Sequence, residues 1–140
     1  MRTSRALTHW LPVLLWAALI FAFSSIPSLS SGLGVWDTVL RKGAHMTEYA
    51  VLAFLLARAF ASEAPAFVAG LLYAASDELH QSFVRGRHSS PVDVAIDAVG
   101  LTAGILAWRH ERKQSHRRSE QQPHRRSETR SARERAETGG

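Results

Sequence analysis

From Trp10 to Ile26 the chain runs 17 residues without a charged side chain. At about 1.5 Å of rise per residue, a helix of that length nearly crosses a ~30 Å hydrocarbon layer. Arg2 and Arg5 precede the run and Ser24 and Ser25 close it, which is also the outline of a cleaved signal peptide. The run is long for a signal core, and no Ala-x-Ala site follows it. Further apolar segments come later, so an uncleaved first membrane helix is the simpler reading.

Pro27, three serines and two glycines make residues 27–40 a loop, whose Trp36 suits a membrane interface. A second helix is expected from Arg41 to Ala61, apolar in its second half. In its first turns Lys42, His45, Glu48 and Tyr49 recur at spacings of three and four, on one helical face. Residues 62–65 form a tight turn, with Pro65 placed for a helix start. A third helix begins near Ala64, stays apolar to Ala75, and carries Asp77, Glu78, His80 and Gln81 in its last turns. Residues 84–91 read as a basic loop. The fourth helix runs from about Val92 to Trp108, with Ser90 as its cap and Asp93 and Asp97 in its first turns. Gly100 and Gly104 form a Gly-x-x-x-Gly pair that lets a neighbouring helix come close.

The fold expected is all-α: an integral membrane bundle of four transmembrane helices over residues 8–109. Residues 110–140, an Arg-rich stretch with a degenerate His-Arg-Arg-Ser-Glu repeat, have too little apolar content to fold alone and read as a disordered tail. Residues 1–108 hold seven Lys/Arg and seven Asp/Glu, while residues 109–140 hold ten and five. The formal net charge of +5 is therefore a property of the tail. The absence of cysteine excludes a disulfide, a Cys-ligated metal and a Cys nucleophile.

Four spans would bring the start of helix 2, the end of helix 3 and the start of helix 4 to one membrane face. Those ends carry nearly all the charge of the membrane region. The larger basic group (the tail with Arg2, Arg5 and Arg58) belongs on the cytoplasmic side, with both termini. The polar cluster then faces outward from a bacterial inner membrane. Acids beside Arg41, Lys42, Arg85 and Arg87 would offset the cost of placing charge near membrane depth.

These residues resemble the VanZ-like family of small bacterial membrane proteins. The likeness rests on Arg-Lys-x-x-His-x-x-Glu-Tyr at 41–49 and Asp-Glu-Leu-His-Gln at 77–81, then Gly86-Arg87, Ser90-x-x-Asp93 and Asp97-x-x-Gly100-x-x-x-Gly104. It covers about residues 10–108. The resemblance implies four membrane helices and an envelope role connected with low-level glycopeptide resistance, the phenotype associated with the founding member. Its motif positions are Lys42, His45, Glu48, Tyr49, Asp77, Glu78, Gln81, Arg87, Asp93 and Asp97, the expected binding residues. The family usually has Asn where this chain has Asp97, which adds a possible negative charge.

The favoured reading of the cluster is an interhelical network of ion pairs and hydrogen bonds, with no metal and no cofactor. His45 and His80 with the carboxylates have ligand chemistry for a divalent metal, but the His-Glu-x-x-His pattern is missing. A metal-free catalytic site would draw on His45, Glu48, Asp77 or Glu78 as general base. The basic residues suit a phosphate or carboxylate, and equally an interfacial anchor. Ser89 and Ser90 beside His88 read as turn and cap rather than nucleophiles. Membrane lipids, and lipid-linked cell-wall precursors, are the expected partners. Nucleic acid is not, since the tail is poor in stacking aromatics. Three functions follow: an envelope factor that binds a lipid head group or lipid-linked precursor, an intramembrane hydrolase or transferase on a lipid-linked phosphate, or a structural or partner-binding subunit.

Overall fold

The computed structural model describes residues 2–27, 35–87 and 90–138. His88 and Ser89, and the serines and glycines of residues 28–34, lie outside the described residues. Four α-helices follow in order: α1 Arg2–Ser24, α2 Val35–Phe60, α3 Glu63–Gln81 and α4 Pro91–Thr138. No strand occurs among the described residues.

Two boundaries differ from the sequence reading. α2 begins at Val35, so Trp36 is helical rather than part of a loop. The Ser/Gly signal stops at Gly34, and Asp37 in the first turn suits the positive end of the helix dipole. The second difference is the tail, which is helical through Thr138 where a disordered chain was expected. Arg, Glu, Gln and Ala are good helix formers, and Gly does not occur between Arg109 and Thr138. Pairs four apart, such as Gln114 and His110 at 3.4 Å, add local support.

The chain divides into two units, Met1–Trp108 and Arg109–Gly140. In the first, α2 packs against α1 and α3. Trp10 meets Phe60 edge-on at 5.0 Å, and Trp16 Nε1 donates to the Glu48 carbonyl at 2.9 Å, so α1 and α2 run antiparallel. The α2–α3 turn has Ala61 in the left-handed region, φ 53°, and Ser62 extended. Pro65, in the first turn of α3, gives up an N–H that has no helical partner there. At the far end of α3, turns built on Ser82 to Arg87 reverse the chain, and Gly86 supplies a positive φ of 78°. Ser90 then caps α4: its Oγ accepts from Val92 N at 3.2 Å.

Gly100 and Gly104 sit against the backbone of α2, where a Cβ would collide with the carbonyls of Met46 and Ala50. Gly70 likewise makes room for Leu101 of α4. The expected packing role of the glycine pair is thus present. Small residues line the interior with larger ones: Ala53, Ala57, Ala66 and Ala74 beside Tyr49, Leu52, Leu101 and Ile105.

Polarity is reversed relative to a water-soluble core. Asp97 is 1% exposed and Asp77 3%, whereas Leu14 is 63% and Leu72 68% exposed. Two helices are long and apolar enough to cross a membrane, with windows Leu7–Ser24 and Pro91–Glu120. α2 and α3 fall short because their site-forming ends are charged.

Candidate functional site

The helices run so that the end of α1, the start of α2, the end of α3 and the start of α4 meet. Residues three and four apart on α2, namely Thr38, Arg41, Lys42 and His45, form one wall of a cavity of about 240 Å³. Glu78, Gln81, Gly86 and Arg87 form the α3 side, and Asp93, Ile96 and Asp97 the α4 side. The space holds several waters or a phosphate-sized group.

Charges of both signs face it. Lys42 Nζ pairs with Asp93 Oδ1 at 2.8 Å, half exposed. His45 Nδ1 lies 3.6 Å from Asp97 Oδ1, an ion-pair distance too long for a hydrogen bond. Both oxygens of Asp97 and Oε2 of Glu78 are buried and accept no hydrogen bond from the described residues. Arg87 Nη1 donates to Gln81 Oε1 at 2.8 Å, and its other nitrogens donate to the carbonyls of Ile26 and Phe23. A cation there complements the carbonyl end of α1. Burial lowers the pKa of Arg87, yet a guanidinium stays charged.

A second polar layer lies between α1, α2 and α3. Asp77 Oδ2 accepts from Ser24 Oγ at 2.7 Å and from Gln81 Nε2 at 2.8 Å. Tyr49 is fully buried, its ring stacked 6.2 Å from His45. Its hydroxyl has no partner at hydrogen-bond geometry among the described residues, and Asp77 is the polar side chain that acts on it most. Glu48 is half-buried, and its charge acts on His45. Gln81 joins the layers, since it touches Asp77 on one side and Arg87 on the other.

The ten expected positions therefore fall into two groups. Lys42, His45, Glu78, Gln81, Arg87, Asp93 and Asp97 line the cavity; Glu48, Tyr49 and Asp77 do not. His80, expected in the cluster, turns toward α1 instead. Its Nε2 lies 3.1 Å from Ser25 Oγ and its ring 4.5 Å from that of Phe21. The sequence reading missed α1 altogether: Ser24 and the Phe23 and Ile26 carbonyls hold Asp77, Gln81 and Arg87. Chain direction was the available signal, because in antiparallel helices the end of the first lies beside the start of the second.

A family model described as VanZ/LLP1 matches residues 9–112. The chain belongs to the VanZ/LLP1 family. The match takes in every cavity residue and stops three residues after Arg109. No curated protein and no solved structure matches the chain. The VanZ/LLP1 assignment agrees with the resemblance carried by the motifs at 41–49, 77–81 and 86–104.

Proposed function

We propose that this VanZ/LLP1 protein is a four-span protein of a bacterial inner membrane whose cavity takes an anionic lipid head group or lipid-linked cell-wall precursor. By holding such a group it would alter susceptibility to glycopeptide agents. The observation that carries this reading is the cavity itself, set among the ends of α2, α3 and α4 and rimmed by Arg41, Lys42 and Arg87. Guanidinium and ammonium groups recognise phosphate oxygens through charge-assisted hydrogen bonds.

Membrane placement draws on the reversed polarity, since apolar side chains outside and carboxylates inside suit a hydrocarbon solvent. α3, with 19 residues, is about 28 Å long, enough to cross despite its charged last turns. Ten basic residues in the tail argue for a cytoplasmic C-terminus and an envelope-facing cavity.

The test is binding of glycerol phosphate and of short-chain polyprenyl phosphate to protein in nanodiscs, followed by calorimetry. Saturable binding, weakened about tenfold or more in Arg41→Ala with Lys42→Ala, is expected. No binding to either probe would refute the reading. A hydrolase or transferase is the second reading. It draws on His45 set against Asp97, an imidazole with a carboxylate partner. It requires turnover of a lipid-linked phosphate that disappears in His45→Ala.

A further inference from the structure

The geometry points to a divalent transition-metal site at the cavity wall, formed by His45 of α2, Glu78 of α3 and Asp97 of α4. One ligand atom from each residue lies within 4.8 Å of the other two. Ligands held tetrahedrally by one ion at 2.0–2.2 Å stand about 3.3–3.6 Å apart. Small side-chain rotations close that gap.

A second observation comes from the carboxylates. Asp97 is 1% exposed and Glu78 6% exposed. Three of their four oxygens, Asp97 Oδ1, Asp97 Oδ2 and Glu78 Oε2, are buried and accept no hydrogen bond from the described residues. Buried carboxylate oxygens without donors are costly, and native proteins satisfy them. Two of the cavity's cations are turned elsewhere. Lys42 is held by Asp93 at 2.8 Å, and Arg87 is spent on Gln81 and the carbonyls of α1. His45 is the nearest partner, and it is 3.6 Å from Asp97. A dication between the three residues would take one oxygen of each carboxylate and a nitrogen of His45, and would tie α2, α3 and α4 together.

One imidazole with two carboxylates favours zinc or a similar first-row ion, because calcium and magnesium prefer all-oxygen sets. Three protein ligands leave a fourth position open to the cavity, for water or an anionic oxygen. This site stands whether or not the cavity takes a head group.

The experiment is metal content of the full chain in nanodiscs, purified on a non-histidine tag, with His110→Ala, His116→Ala and His124→Ala to silence the tail. Zinc is added, the sample dialysed, and metal counted by mass spectrometry without any lipid ligand. About one zinc per chain is expected. Affinity should fall tenfold or more in Glu78→Gln and in Asp97→Asn, both near-isosteric. Zinc retained equally in those variants, or no zinc in the parent, overturns the site. Should the variants fail to fold, X-ray absorption on the parent decides. A shell of oxygens with one imidazole supports the proposal, and a shell of two or more imidazoles overturns it. Failure here leaves the head-group reading intact, since that is measured by phosphate binding.

Discussion

Asp77 shows how much one buried carboxylate depends on its neighbours. Its Oδ2 has two donors, and the closer is the hydroxyl of Ser24 at 2.7 Å. Ser24→Ala leaves that oxygen with Gln81 alone, in a position almost without water. The expected loss is about 1.5–3 kcal/mol, read from unfolding in detergent. Ser25→Ala, which removes only exposed contacts, should change stability by roughly 0.5 kcal/mol or less. Equal losses in the two variants would remove Ser24 from the site. The chemistry at this scale was largely legible, because charged residues recur at three and four on otherwise apolar helices. His80 was misplaced for a geometric reason. At about 100° per residue, Glu78 and Gln81 fall on one side of Asp77, and His80 falls roughly 60° beyond it on the other. Ser24 was missed because a pair of serines closing an apolar run reads only as a helix end.

At the scale of elements, the contact of α2 with α4 depends on having no side chain at two positions. A methyl at Gly104 meets the Ala50 carbonyl, and one at Gly100 meets that of Met46. Gly104→Ala should therefore lower stability by about 1–3 kcal/mol. Gly43, also helical, has open space around its Cβ position. Gly43→Ala should raise stability by roughly 0.5–1 kcal/mol through helix propensity. Melting curves of the two variants in the same detergent check the pair of signs. The Gly-x-x-x-Gly spacing made this contact visible in the sequence. The partner helix was not visible, since the spacing names only one side. The tail misled for a related reason. Its lack of apolar residues says that nothing packs on it, whereas its helical form rests on backbone propensity, which that argument does not weigh.

At the scale of the whole molecule, the distribution of polarity matters most. Carboxylates lie inside and leucines outside, and four helix ends gather the polar groups at one end of the first unit. Composition alone hid this, because the mean hydropathy of −0.10 averages an apolar unit with a charged tail. The convergence of helix ends followed from element order, a feature that any antiparallel chain of helices shares. Depth and sidedness in the membrane are set by solvent on each side, which no internal contact records. The absence of cysteine makes sidedness directly measurable. Ser82, exposed beside the cavity end of α3, and Ser119, exposed in the tail, would each be replaced singly by cysteine and treated with a membrane-impermeant maleimide in intact cells. An envelope-facing cavity predicts labelling in Ser82→Cys and none in Ser119→Cys until the cells are broken. Labelling of the tail variant with the Ser82→Cys variant protected would contradict it, placing the cavity in the cytoplasm and out of reach of any envelope ligand.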